Sequence, residues 1–214
     1  MWTAHHLLNS SPDLSIAILE AHQVGSGASG RNGGWASALY PIEDSALAKH
    51  ASAQSIADLH TELEKSIDEI GQIAKSNNWQ IEYAKGGSLV FATNNAQLSR
   101  ISKDIDNEHN FLNSDEVKQL LNVRNIMGGI FTPHCAALNP FKLTRALAEH
   151  LEHLGVQIFE NSRVEEIYDK KIQVNGFDID MVAFWKDPAS GQCIFCLYIG
   201  TTQYIFYIPF TGQP

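Results

Sequence analysis

Cysteine is scarce in this chain: three in 214 residues, with no secretory leader at the start, leave no disulfide framework and fit a reducing, cytoplasmic setting. Basic residues are few as well. Fifteen Lys and Arg stand against 24 Asp and Glu, for a net charge of −9 and a pI near 5.4. That balance excludes a nucleic-acid partner, which needs a basic face. Long apolar runs are missing apart from Cys193 to Phe210, an uncharged aromatic stretch long enough to span a bilayer on length alone. Gly200, Thr201, Thr202, Gln203 and Pro209 dilute it and no basic cluster flanks it, so a membrane anchor is disfavoured. Metal-ligand spacing is absent too. Cys193 and Cys196 form a C-x-x-C without the strand-to-helix context of a redox site or the second ligand pair of a zinc site, and the adjacent His5 and His6 diverge on a helix. The remaining composition, 44% hydrophobic and 18% charged, is that of a soluble globular protein, with length for one large domain or two small ones.

The stretch that organises the chain runs from Leu14 to Trp35. Ser15 to Leu19 is an apolar run with no alternation, the pattern of a strand buried on both faces of a parallel sheet. Glu20 ends it. An acid at the carboxyl end of the second strand of a dinucleotide fold is placed to accept hydrogen bonds from a ribose hydroxyl. Gly25, Gly27, Gly30, Gly33 and Gly34 then fall within ten residues, interleaved with Ser26, Ala28, Ser29, Arg31 and Asn32. Positions with little or no side chain let the backbone approach a flat or charged ligand and turn its N–H groups toward it, and Arg31 adds a positive charge. A glycine-rich surface loop without a ligand is the plain alternative.

GSGASGRNGG directly after a strand ending in LEA resembles the second glycine-rich segment of FAD-dependent amine and amino-acid oxidoreductases, the D-amino-acid oxidase-like family. That resemblance implies FAD as cofactor, with Glu20 on the adenosine ribose and Gly27, Ala28, Ser29, Arg31, Asn32, Gly33 and Gly34 along the pyrophosphate and flavin. The loop has no His or Cys for covalent attachment of a flavin.

Met1 to Leu8 reads as a helix with Trp2, Leu7 and Leu8 available to pack inward. WTAHHLL is similar to the helix that follows the first glycine turn in relatives. The first strand and its G-x-G-x-x-G turn are therefore expected to be missing, leaving Ser15 to Leu19 with an unpaired edge and FAD bound weakly or not at all. Further on, Leu59, Leu63, Ile67, Ile70 and Ile73 form one apolar stripe of a long helix ended by Asn77 and Asn78. Gln80 to Tyr83 and Ser88 to Thr93 read as strands joined through Lys85-Gly86-Gly87. Leu98, Ile101 and Ile105 mark a helical face, Ser114 a cap for a short helix over Asp115 to Leu121, and Ile126 to Thr132 a strand whose paired glycines allow a close approach or a bulge.

Asn139 caps and Pro140 starts a helix carrying Leu143, Leu147 and Leu151 on one face, with Gly155 placed to end it and Val156 to Phe159 as the next strand. The segment from Asn139 to Ile167 is the second resemblance. Relatives carry there a helix returning the chain to the cofactor domain, then a residue whose backbone contacts adenine; by that match the role falls on Val164, with Arg163 before it. From about Gly176 the resemblance fails, and the tail is expected to pack poorly.

These readings imply an α/β fold: an incomplete FAD/NAD(P)-binding Rossmann-like domain with part of an α+β substrate-binding domain. The expected parts are residues 1–44 for FAD, 45–138 for substrate, 139–176 returning to the FAD domain, and 177–214 as an atypical tail. The implied activity is oxidation of the CH–NH bond of a small amine or amino acid, in a chain expected to be an inactive or partial fragment, with no catalytic residue assigned. The alternative is a non-catalytic fragment or a membrane-tethered α/β binding module.

Overall fold

The computed structural model describes residues 1–102, 110–168, 171–180, 183–186, 193–199 and 202–208; in the last three segments, and at Ile167 and Asp180, it describes the backbone alone. In chain order the elements begin with α1 (Trp2–Ser10), β1 (Ser15–Leu19), α2 (Ala28–Arg31), β2 (Trp35–Ser37), α3 (Asp44–Leu47) and α4 (Ala53–Ser76). Next come β3 (Ala84–Lys85), β4 (Ser88–Ala92), α5 (Asn95–Ile101), β5 (Asn110–Asn113), α6 (Ser114–Leu120), β6 (Gly128–Thr132) and β7 (Cys135–Ala137). The last are α7 (Pro140–His153), β8 (Gln157–Phe159), β9 (Val164–Tyr168), β10 (Lys171–Val174), β11 (Phe177–Asp180), β12 (Ala183–Lys186), β13 (Cys193–Ile199) and β14 (Thr202–Ile208). They form two compact units, Met1–Asn32 with Pro140–Pro214, and Gly33–Asn139.

In the first unit, β1 lies inside a five-stranded sheet of order β12-β13-β14-β1-β8. It runs parallel to β8, with Ala17, Ile18 and Leu19 opposite Gln157, Ile158 and Phe159. Successive strand residues face opposite sides, yet Ile16 through Leu19 are all buried, so both faces of β1 are covered. Each fully buried Ile or Leu contributes about 1.5–3 kcal/mol of hydrophobic stabilisation. The open edge expected for this strand is not there: β14 lies parallel to it, with Ser15 opposite Tyr204 and Ile16 opposite Ile205. A strand from the far end of the chain supplies the ladder bonds that an edge would leave unmade.

Thr144, Leu147, Ala148 and Leu151 form the buried stripe of α7, whose end is closed at Gly155. With φ at +90° there, the Val156 N–H donates to the Leu151 carbonyl at 3.0 Å and the Gly155 N–H to the Glu152 carbonyl at 3.0 Å. Helix α1 buries Ala4, His5 and Leu8, whereas Trp2 and Leu7 are only half-buried. The inward face is thus rotated from the one expected, and the His5 ring sits 5.4 Å from that of His150 on α7. Strands β9, β10 and β11 make an antiparallel meander of order β11-β10-β9. The expected packing of the tail after Gly176 falls largely outside the described residues; their backbone pairs β11 with β10, and β13 with both β12 and β14.

The second unit holds two three-stranded antiparallel sheets, β2-β7-β3 and β4-β6-β5. Ala92, Ile101 and Ile130 cluster beneath Leu98; Ile105 lies outside the described residues. The paired glycines of β6 make no bulge, since its register with β4 and β5 runs through unbroken. Ile67 of the expected α4 stripe is buried and Leu59, Leu63, Ile70 and Ile73 are half-buried, with Ile56 and Ala74 buried besides. Two expectations shift. Gln80 to Tyr83 is not a strand, because Glu82 takes φ +59° and breaks the extended run; Tyr83 instead donates its hydroxyl to the Ile67 carbonyl at 2.8 Å. The cap of α6 is Asn113, not Ser114. Its side chain accepts from the Asp115 and Glu116 amides at 2.9 and 3.1 Å, while the Glu116 carboxylate accepts from the Asn113 N–H at 2.7 Å, a capping box.

Candidate functional site

Glu20 follows β1 directly and is half-buried. Its backbone continues the parallel pairing: its N–H donates to the Phe159 carbonyl at 2.9 Å and its carbonyl accepts from Ser162 N–H at 2.8 Å. One carboxylate oxygen accepts from the His22 N–H at 3.0 Å, which holds the side chain at the strand's carboxyl end. The Asn161 N–H donates to the His22 carbonyl at 2.7 Å, and Arg163 donates to His22 Nε2 at 3.2 Å. Arginine only donates, so Nε2 is the lone-pair nitrogen of His22. Val164 opens β9 one residue later and is half-buried. The structure thus brings Glu20 and the turn after it against the segment that leads into Val164.

Glu160 is a residue that the sequence reading passed over. It follows β8 as Glu20 follows β1, so two neighbouring parallel strands each end in an acid. One Glu160 carboxylate oxygen accepts from the buried Val24 N–H at 2.9 Å and from Arg145 Nη1 at 3.1 Å, tying the start of the glycine loop to α7. The repeated strand-then-acid pattern was the signal available for it. A cavity of about 180 Å³ lies beside this pair, lined by Val24, Arg145, Ala148, Glu152, Ile158 and Glu160. None of the sequence-predicted contacts lines it.

The loop glycines divide by their surroundings. Gly25 has φ +83°, and a Cβ there would meet Thr144 Oγ1 at 2.7 Å and the Phe141 ring, so its bareness serves packing against α7. At Gly30 a Cβ would overlap the carbonyl of Gly25. Gly27, by contrast, has nothing within 4 Å of where a Cβ would stand. Gly25, Gly27 and Gly30 have the spacing G-x-G-x-x-G, a match the sequence reading did not make. The context differs from the dinucleotide turn: residues 20–24 intervene after β1, and α2 is only four residues long. Ala28, Ser29 and Arg31 are exposed on α2. Asn32 donates its side-chain amide to the Ala28 and Ser29 carbonyls at 3.3 and 3.0 Å, closing the helix end. Gly33 and Gly34 belong to the second unit. Gly33 has open space where a Cβ would be, and the buried Gly34 accepts from Leu138 N–H at 2.9 Å with φ +70°.

Open backbone at Gly27, an exposed guanidinium at Arg31 and a fixed carboxylate at Glu20 suit a ligand that joins an anionic bridge to a hydroxylated ring.

The second unit carries its own cavity, of about 960 Å³. Histidine–carboxylate pairs stand in its wall: His60 Nε2 lies 2.9 Å from Asp44 and His134 Nε2 lies 3.3 Å from Glu64. None of these four was singled out from sequence, because their partners are distant along the chain. Among the described residues, no group of three or more His, Cys, Asp or Glu side chains is arranged to hold a metal ion, and no helix is long and apolar enough to cross a membrane.

Comparison with known proteins bears on the whole arrangement. The sequence model of the family described as "FAD dependent oxidoreductase" matches residues 1–183, so the likeness runs past Gly176 and across the β10–β11 hairpin, further than the sequence reading placed it. A curated relative, "Probable oxidoreductase OrdL" of Haemophilus influenzae, is 26% identical over 162 residues, covering 72% of this chain and 38% of the relative. Glycine oxidase from Bacillus cereus superposes with a TM-score of 0.60 at 20% identity, covering 83% of this chain and 48% of the other. L-Amino acid deaminase from Proteus myxofaciens superposes with a TM-score of 0.64 at 15% identity, covering 83% and 40%. The chain therefore spans less than half the length of these relatives. Because the family's model accounts for most of its residues, the chain belongs to the DAO family of FAD-dependent oxidoreductases.

Proposed function

We propose that this chain forms the part of an FAD-dependent oxidoreductase that grips the adenosine and diphosphate of the cofactor, in a protein acting on the CH–NH bond of a small amine or amino acid. The observation that carries the reading is Glu20. It stands at the carboxyl end of a fully buried parallel strand, held by the His22 amide, with a loop downstream whose backbone is open at Gly27. In this reading the Glu20 carboxylate accepts hydrogen bonds from ribose hydroxyls, and the backbone from Gly27 to Ser29 lies along the diphosphate. Arg31 offsets the diphosphate charge, Asn32 keeps α2 closed, Gly33 and Gly34 continue the cofactor-facing loop, and the Val164 backbone meets adenine. When bound, FAD supplies the two-electron acceptor for oxidation of the carbon beside the amine nitrogen; the protein's part is to hold and orient. In domain terms, residues 1–44 and 139–176 serve the cofactor and 45–138 the substrate, with Ala38 to Asp44 also lining the cavity of the second unit.

Titration of the 214-residue chain with FAD and with ADP, followed by calorimetry, tests this. Weak saturable binding is expected, reduced by Glu20→Ala and by Gly27→Ala. Binding unchanged by both substitutions, or no saturable binding of either ligand, ends the reading.

A further inference from the structure

The cavity of the second unit has three walls of legible origin. One face of α4 supplies Ala53, Ile56, Ala57, His60 and Glu64, spaced by three and four residues. This is a different stripe from the one carrying Leu59, Leu63 and Ile67, so α4 packs with one side and lines the cavity with another. The second wall is one face of the β4–β6 pair, where Ser88 stands opposite Thr132 and Val90 opposite Ile130. The third is the segment from Ala38 to Ser45, which brings Leu39, Tyr40 and Ile42 together with Glu43 and Asp44.

The fixed charge in this lining is acidic, with His60 and His134 paired to two of its carboxylates. Glu43, Asp44 and Glu64 contribute carboxylates, and no Lys or Arg is among the lining residues. Glu64 is 26% exposed, far enough from bulk water for its charge to act on a ligand, and His134 orients it from the strand side. An apolar ligand body fits against Ile56, Val90 and Ile130, and a cationic nitrogen finds carboxylates at the wall. A ligand carboxylate finds carboxylates and no Lys or Arg to pair with, and its desolvation would go poorly compensated.

We propose that this cavity binds an amine with an apolar body, and that it selects amines lacking a neighbouring carboxylate over α-amino acids. The inference rests on the oxidoreductase reading above for its meaning as a substrate site, and on the cavity alone for its binding chemistry. Glycine oxidase and the amino acid deaminase share the fold at 20% and 15% identity, which carries no substrate over to this chain.

Three probes of similar size separate the alternatives: phenethylamine, phenylpropionate and phenylalanine, each titrated calorimetrically into the 214-residue chain. Phenethylamine is expected to bind saturably and at least tenfold more tightly than the other two. Glu64→Gln should weaken it fivefold or more, and Ile42→Lys, at a position already 46% exposed, should weaken the amine while admitting phenylpropionate. Far-ultraviolet circular dichroism checks that both variants fold, and the wild-type selectivity needs neither. Equal or tighter binding of phenylpropionate or phenylalanine, no saturable binding of the amine, or amine binding indifferent to both substitutions overturns the proposal. FAD binding is read on the same samples with Glu20→Ala. Amine selectivity without a Glu20-dependent flavin would remove the oxidoreductase reading alone; Glu20-dependent flavin without amine selectivity would remove this one alone.

Discussion

Gly30 lies so close to the carbonyl of Gly25 that a Cβ at position 30 would overlap it, while five residues in the other direction Gly25 itself sits against Thr144 and Phe141 of α7. Two glycines of one loop thus hold a stack of backbone on helix, and a third, Gly27, has nothing near it. Replacing Gly30 by Ala should destabilise the protein by about 1–3 kcal/mol, the usual cost of forcing a methyl into packed structure. Gly27→Ala should leave stability within about 0.5 kcal/mol of the parent and lower FAD affinity instead. Urea unfolding beside FAD titration separates the two effects; equal loss of stability in both variants would refute the division.

Glu20→Ala should weaken FAD by about 1.5–3 kcal/mol, the cost of a charge-assisted hydrogen bond, with a smaller change in stability from losing the acceptor for the His22 amide. Glu20→Gln keeps one carbonyl acceptor and should fall between. An unchanged flavin affinity in the alanine variant would remove Glu20 from the site.

Glu160→Ala leaves the buried Val24 N–H without its acceptor and should cost about 1–3 kcal/mol. The pair with Arg145 adds at most about 1 kcal/mol, because these side chains are 39% and 33% exposed and water screens them. Glu160→Gln should recover much of the loss. Chemical denaturation of both variants measures this, and a neutral alanine variant would show that the Val24 amide finds another partner.

Burial, and then the charge of His153, hold the His150 imidazole below its ordinary pKa of 6.5. The unfolded chain therefore takes up that proton first as pH falls. Above pH 6.5 both states are neutral and His150 imposes no penalty; below it, stability declines until the folded-state pKa is passed. Thermal melts between pH 5 and about 7.5 should show a slope that His150→Gln reduces; the His5 ring lies 5.4 Å from that of His150. A slope untouched by the substitution would assign the pH dependence elsewhere.

Local signals carried a good part of this molecule. The unalternated run from Ile16 to Leu19 announced a strand buried on both faces, and Pro140 with Gly155 bracketed α7, because each depends on residues within a few positions. The acid-and-glycine sequence after β1 was enough to mark the family. Strand edges near Glu82 and the cap at Asn113 were misplaced by a residue or a few, since a single positive φ or a competing acceptor decides them.

Other properties are set by clearance and partnership between distant residues, which no pattern along the chain records. Gly25 and Gly27 are the same residue two positions apart, and only the approach of Thr144 makes one a packing position while the other stays open. Glu160 becomes the acceptor for Val24 across 136 positions of chain. The edge of β1 is covered by β14 rather than left bare, because hydrogen bonding is satisfied by whichever strand arrives. The second face of α4 lines a cavity only because β4, β6 and the segment from Ala38 to Ser45, distant along the chain, come together around it.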